Sequence, residues 1–268
     1  MLMMSIPIST PLPSNRNHAV DAVSFTAAAT LNSLMREVRR KERMQPKAVV
    51  LLSGGMDSAT CCYEAHAAGY TIYALTVNYG QRAQRELRAA QEIAQAVGAV
   101  QHHLYSLDLT LWGGSALTDS AIAIPTGGVD ESAIPVTYVP ARNTILLSLA
   151  LSWAEVLGAE AIYIGVNSLD YSGYPDCRPE FVAAFQQVVN IATKATVQGH
   201  PIRIETPLQQ LSKVEIVRRA LALHVPLDLT WSCYIDGEEP CGICDSCRLR
   251  EEAIAQVRAA STDEGPSI

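Results

Sequence analysis

The sequence predicts an α/β protein: a parallel sheet with helices on both faces, followed by a small four-cysteine module. Three observations predict it. Residues 48–52 read AVVLL, a short unbroken apolar run of the kind a strand buried on both faces requires. The segments after it alternate between strand-like and helix-like patterns, which calls for parallel pairing through crossover helices. Four of the seven cysteines crowd into the fifteen residues 233–247.

Taken in order, the first 46 residues stand apart. Residues 1–14 are rich in Met, Pro and Ser without the basic start of a secretory signal, and residues 31–43 carry Arg36, Arg39, Arg40, Lys41 and Arg43 on a short basic helix. This extension is expected to be poorly ordered. A transit peptide is one alternative and translation from Met44 another. After the 48–52 strand comes the turn 53–58, then a helix to about Ala68 stopped by Gly69. A strand over 71–77 leads to an amphipathic helix over 83–97, with Leu87, Ala90, Ala94 and Val97 on one face and Gly98 as its stop. A third strand is predicted at 100–107, and residues 112–135 form a long Gly- and Pro-containing excursion. Then follow a helix at 143–157, a strand at 161–166 and a helix at 179–190. Ser212 and Glu215 make the S-x-x-E capping box of a helix reaching about Leu223. The domains predicted are the extension 1–46, an α/β domain 47–232, a cysteine module 233–250, and a C-terminal helix and tail 251–268.

Composition narrows the function. Hydrophobic residues make up 49% of the 268 and charged residues 18%, enough for a sizeable core. A formal net charge of −7 argues against a nucleic-acid partner and for a small-molecule substrate. The longest apolar run, 145–157, is broken by Ser148, Ser152 and Glu155 and falls short of the roughly 20 residues a membrane span needs. No membrane contact is expected, and the cytoplasm is the expected location.

In a parallel sheet, ligands bind where strands end at their carboxyl side. Three turns fall there: Ser53 to Ser58, Asn78-Tyr79-Gly80-Gln81, and Gly165-Val166-Asn167. Their chemistry should converge on one cleft. The first reads Ser53-Gly54-Gly55-Met56-Asp57-Ser58. Its glycines let backbone N–H groups approach a ligand, and the next helix offers its N-terminus to an anion. Ser53 and Ser58 supply hydroxyl donors, and Asp57 supplies oxygen for magnesium. No Walker lysine follows, which disfavours γ-phosphoryl transfer, and the G-x-G-x-x-G of dinucleotide binders is missing too. S-G-G-x-D-S resembles the PP-loop of ATP pyrophosphatases, which attack the α-phosphorus. A plain Ser/Asp-capped turn is the structural alternative.

Cys233-x7-Cys241-x2-Cys244-x2-Cys247 brings four thiolates into one knuckle, its reversal permitted by Gly237, Pro240 and Gly242. Tetrahedral zinc with four sulfurs is the natural product, a closed and therefore structural site. An iron–sulfur cluster also fits C-x2-C-x2-C. Arg248 and Arg250 either offset the thiolate charge or sit solvated. Cys61, Cys62 and Cys177 are scattered, the first two reading as packing residues.

Together these features resemble the 7-cyano-7-deazaguanine synthase family of queuosine biosynthesis, over about residues 48–250. The carriers are LLSGGMDSAT (51–60), NYGQR (78–82), GGSALTD (113–119), IPVTYVPARNT (134–144), IGVNSLDYSGYPDCRPEF (164–181), TPLQQLSK (206–213) and WSCY…CGICDSC (231–247). Asn78, where an acid is usual, and Ala83, where histidine is expected, depart from the pattern. The resemblance implies an AMP-forming ligase that uses ATP with magnesium to turn 7-carboxy-7-deazaguanine and ammonia into the nitrile, one structural zinc per chain, and a homodimer. It implies ATP contacts from Leu52, Ser53, Gly54, Gly55, Met56, Asp57, Ser58, Ala59 and Thr60. Asp57, Ser58, Lys213 and Arg142 are the implied catalytic groups, and Tyr79, Gln81, Asp170 and Tyr171 the implied base contacts. The chain has no room for a glutaminase domain, and Leu2 supplies no N-terminal cysteine, so free ammonium is the expected nitrogen source. Two rivals are a tRNA-modifying PP-loop ligase, disfavoured by the negative charge, and a zinc ribbon for nucleic acid, disfavoured by Asp236, Glu238, Glu239 and Asp245.

Overall fold

The computed structural model describes residues 45–126, 133–167 and 173–263, without side chains for 261–263. These residues fall in one compact unit, Gln45–Ile268. Residues 1–44 of the extension, and Asp170 and Tyr171, lie outside the described residues.

Five strands form one sheet: β1 (Lys47–Leu51), β2 (Thr71–Asn78), β3 (Gln101–Ser106), β4 (Ala161–Ile164) and β5 (Arg203–Glu205). Their order is β3-β2-β1-β4-β5 and every pairing is parallel. The helices are α1 (Met56–Ala67), α2 (Arg85–Ala96), α3 (Arg142–Leu157), α4 (Pro179–Ala192), α5 (Lys194–Val197), α6 (Lys213–Ala222) and α7 (Asp245–Asp263).

β1 sits at the centre, and its alternation explains its composition. Ala48, Val50 and Leu52 point into a core shared with α1, α2, α6 and α7. Val49 and Leu51 point to the opposite core, made with α3 and α4. With both faces covered no polar position is tolerated. Val49 and Val50 are fully buried, and each such side chain contributes roughly 1.5–3 kcal/mol. The sheet is therefore anchored in the strand that feeds the first turn.

Strands β1 to β4 and the longer helices follow the predicted order. β4 stops at Ile164, two residues early, because Gly165 turns there against the start of α1; a Cβ on Gly165 would lie 2.9 Å from the Asp57 carbonyl oxygen. The predicted excursion opens with a 3₁₀ turn at Thr110–Trp112 and is tied back where the Arg82 N–H donates to the Leu117 carbonyl at 3.0 Å. Its residues 127–132 lie outside the described set. β5 and α5 were absent from the sequence reading. α7 runs through residue 250, where that reading divides the cysteine module from the C-terminal helix. No helix among the described residues is long and apolar enough to cross a membrane.

Candidate active site

The turns after β1, β2 and β4 line one cleft with the start of α3, Lys213 at the head of α6, and the segment around Trp231. Its floor is the loop between β1 and α1. Gly54 has φ of +93°, and a Cβ there would stand 2.2 Å from the Glu86 carbonyl oxygen and 2.8 Å from the Ala90 nitrogen, so only glycine fits. The loop is held by its own serines. Ser58 Oγ accepts from the Ser53 N–H (3.2 Å) and from Ser53 Oγ (3.0 Å) and donates to the Gly55 carbonyl (3.0 Å). Helix α1 begins directly after Gly55, and Gly55 through Ser58 line the cleft. A helix N-terminus in this position is an anion site before any side chain is counted.

Lys213 faces it. Its Nζ donates to Asp57 Oδ2 at 2.8 Å, with the lysine side chain 10% exposed and the aspartate 22%. The capping box fixes where Lys213 starts its helix: the Ser212 N–H donates to Glu215 Oε2 (2.8 Å), and the Glu215 N–H donates to Ser212 Oγ (3.3 Å). The bond from the Ser212 backbone, and after it one from the Ser212 hydroxyl at 2.7 Å, hold the Glu215 carboxyl below its ordinary value.

The second wall is built around Arg142. Arg142 Nη1 donates to the buried Tyr79 hydroxyl at 3.0 Å, and the guanidinium lies 5.5 Å from the Tyr79 ring centroid. Burial works against the Arg142 charge, yet the groups around it, Tyr79 foremost, hold its pKa above the ordinary value. Ala141, just before it, takes φ of +54°, which a non-glycine residue keeps only under outside constraint. Asp176 supplies part of that constraint: its Oδ2 accepts from the Asn143 N–H at 2.9 Å, while Asn143 Nδ2 donates to the Asp176 carbonyl at 3.0 Å. Next to it, burial and then Asp176 push the Cys177 thiol up to about 12, so it stays protonated at neutral pH.

Several placements differ from the sequence reading. Ser53, Gly55, Met56, Asp57, Ser58, Tyr79, Gln81, Arg142 and Lys213 do share the cleft, with Leu52 at its base. Ala59 and Thr60 do not reach it: both are fully buried, and Thr60 Oγ1 donates to the Met56 carbonyl at 2.8 Å within α1. Gly54 serves by its closeness to α2. Gln81 borders the cleft, but its Oε1 is taken by the Tyr79 N–H at 2.9 Å, so it first serves the turn. Arg250 neither balances thiolates alone nor sits solvated. It donates to Thr230 Oγ1 (2.6 Å), Ser232 Oγ (3.2 Å) and the Leu227 carbonyl (2.7 Å) while lining the cleft.

Among the cleft groups missed by the sequence reading are Glu86 and Trp231. Glu86 sits on the first turn of α2, where an acidic residue reads as ordinary helix-start chemistry. Burial raises its carboxyl to about 8 against the opposing pull of Arg142. Trp231 is 5% exposed, and its backbone N–H donates to the Gly54 carbonyl at 2.9 Å.

The cysteine knuckle adjoins the cleft, which its sequence neighbours Trp231, Ser232, Tyr234 and Ser246 line. Sγ atoms of Cys233, Cys241, Cys244 and Cys247 all lie within 4.8 Å of one another, with Cys241 and Cys247 at 4.0 Å. Four sulfurs around a tetrahedral ion with bonds near 2.3 Å stand about 3.8 Å apart, so the set fits a single metal ion. Backbone N–H groups of Ile235 (3.3 Å) and Cys241 (3.4 Å) donate to Cys233 Sγ, and that of Cys244 (3.4 Å) to Cys241 Sγ, as expected where thiolates carry charge. The knuckle packs on Ala83 and Ala89 at the foot of α2, and Asp236 Oδ1 accepts from the Arg85 N–H at 2.8 Å. All seven cysteines are free of disulfides.

A doubly wound parallel sheet whose central strand runs through S-G-G-x-D-S into a helix N-terminus, with no Walker lysine, defines a PP-loop protein. The family model described as Queuosine biosynthesis protein QueC matches residues 47–258, and the chain belongs to that family. It is 58% identical over 214 residues to the 7-cyano-7-deazaguanine synthase of Dechloromonas aromatica (strain RCB), covering 79% of this chain and 95% of that one. With the protein of the same name from Microcystis aeruginosa (strain NIES-843 / IAM M-2473) it shares 55% over 213 residues, 80% of this chain and 93% of the other. Among solved structures, a 4-thiouridine synthetase–RNA complex with bound ATP aligns with a TM-score of 0.42 at 19% identity, covering 81% of this chain and 52% of that one.

Proposed function

We propose that this chain makes 7-cyano-7-deazaguanine from 7-carboxy-7-deazaguanine, ammonia and ATP, releasing AMP and pyrophosphate. The observation that carries the reading is its likeness to proteins of that name over 93–95% of their length, with every described residue of the cleft inside the family match 47–258.

A carboxylate is a poor electrophile, and transfer of AMP to one of its oxygens makes that oxygen a leaving group. Ammonia attacks the acyl carbon and gives the amide with loss of AMP. A second adenylation, on the amide oxygen, lets AMP leave again as the nitrile forms. Both substrate oxygens therefore depart on AMP, and two ATP are consumed per nitrile.

The residues' task is to hold anions together and shield the adenylate from water. N–H groups from Gly55 to Ser58, with the Ser53 hydroxyl, hold the phosphates. Lys213 neutralises charge growing on pyrophosphate, exchanging its bond to Asp57 for one to phosphate oxygen. Magnesium, bound through Asp57, would screen the phosphate charge further. Arg142 and Tyr79 lie where the deazaguanine sits. Asp170 and Tyr171, outside the described residues, are further candidates for that contact. Zinc is the ion for the four thiolates, in a structural role; sulfurs within 4.8 Å of each other are too close to cap the corners of a four-iron cube. Free ammonium is the nitrogen source, and the protein is a cytoplasmic homodimer without a nucleic-acid substrate.

The test is mass spectrometry of products from pure protein, ¹⁸O-carboxylate substrate, ATP, magnesium and ammonium. Nitrile with label in AMP is expected, in a ratio of two labelled AMP to one nitrile. Unlabelled AMP, or turnover only with added tRNA, would sink the proposal. Glutamine in place of ammonium should support no turnover.

A further inference from the structure

Among the described residues two carboxylates line the cleft, Asp57 and Glu86. Asp57 is paired with Lys213. The other nearby acids are engaged elsewhere: Asp176 with the Asn143 N–H and Asp236 with the Arg85 N–H. Glu86 is different. Its carboxylate accepts no hydrogen bond and closes no salt bridge among the described residues, although it is partly buried. A half-buried carboxylate that opens on the cleft with no protein donor on it is free to accept from a ligand. The cleft is where that ligand would bind.

The surroundings say what kind. The charges that act on Glu86 are Arg142, which stabilises its anion, and Asp236. A divalent cation here would meet the Arg142 guanidinium with one carboxylate to hold it, whereas such ions take about six oxygens. Ammonium would meet the same guanidinium. A neutral edge carrying two parallel N–H groups beside a carbonyl suits both residues at once: the carboxylate accepts the two N–H groups, and Arg142, with donors left beyond its bond to Tyr79, turns to the carbonyl. The 2-amino-4-oxopyrimidine edge of a guanine-like base has that sequence of groups.

Building on the proposed function, we infer that Glu86 is the specificity residue for the base, its carboxylate accepting from the ring N–H and the exocyclic amino group. Gly54 assists from below. Its lack of a side chain lets the phosphate loop touch the Glu86 backbone, so the base-reading carboxylate and the phosphate site are held at a fixed separation.

The experiment compares 7-carboxy-7-deazaguanine with its analogue lacking the 2-amino group, in wild type, Glu86→Gln and Glu86→Ala. Wild type should favour the amino substrate by roughly 100-fold in kcat/KM, the effect of one charge-assisted hydrogen bond and the unpaired acceptor left behind. In both variants the preference should shrink to within about threefold, with the KM for ATP little changed. A wild type that makes both nitriles equally well overturns the inference without any variant. So does a preference that survives in the variants, as would follow if Asp170 read the edge. Equal loss of kcat on both substrates with the preference intact would make Glu86 a proton acceptor instead. If wild type makes no nitrile from either substrate, the proposed function itself fails, and that outcome is distinct from all the others.

Discussion

Lys213 and Asp57 lie 156 positions apart in sequence and 2.8 Å apart in space, and single changes there should separate chemistry from folding. Lys213→Ala removes the cation opposite the phosphate loop. It should lower kcat/KM for AMP formation by roughly 100-fold, the usual effect of losing a transition-state charge partner, with metal content the same as in wild type. Preserved activity would remove Lys213 from the phosphate site. Gly54→Ala should be worse for the fold. A methyl 2.2 Å from a backbone oxygen in a left-handed conformation has nowhere to go. The expected cost is about 2–3 kcal/mol of stability together with loss of ATP binding, read by thermal unfolding with and without nucleotide. Glu86 makes a prediction about pH. Its carboxyl is raised in the folded protein to about 8 from an ordinary 4.5, by burial first. The folded state then holds this proton longer than the unfolded one, so the residue costs nothing at low pH and progressively destabilises as pH climbs from about 4.5 to 8. Glu86→Gln cannot titrate, so its melting temperature should gain on wild type between pH 5 and 8.5. A constant difference would contradict the burial argument.

At the level of elements, the cleft is an assembly of helix ends. Asp176 holds the first turn of α3 by accepting the Asn143 N–H, which also fixes the strained Ala141 and hence the direction of Arg142. Asp176→Ala should cost about 1–2 kcal/mol of stability, as caps do, and raise KM for the base more than for ATP. An unchanged KM would show that Arg142 is positioned without it. The knuckle adjoins the cleft through Trp231 and Arg250, so a metal held by its four cysteines should matter to ATP binding even with every ligand position filled by sulfur. Removing the metal with a strong chelator should lower the melting temperature and weaken ATP binding, with zinc restoring both. Elemental analysis that finds iron instead would overturn the zinc assignment.

Across the whole molecule, what could be read from the sequence was what local pattern encodes. β1 was legible because burial on both faces forces an unbroken apolar run, α6 because Ser212 and Glu215 announce its start, and the thiolate set because four cysteines so close in sequence have few other uses. β5 was not legible: Arg203–Glu205 is three residues long, partly exposed, and made a strand only by pairing with β4. Glu86 was hidden for a related reason. Its place on α2 is unremarkable for an acid, and its isolation from donors exists only once Arg142 and Asp236 have been brought near. Thr60 was misjudged because the loop motif runs on into a helix whose next residues turn inward. The bond from the Trp231 N–H to the Gly54 carbonyl has a consequence in time as well as space. On a ribosome the phosphate loop emerges early and Trp231 only after the rest of the sheet, a delay on the order of ten to thirty seconds at ordinary elongation rates. Until residue 231 has been made, a nascent chain that already carries its phosphate loop lacks the segment that bonds to Gly54.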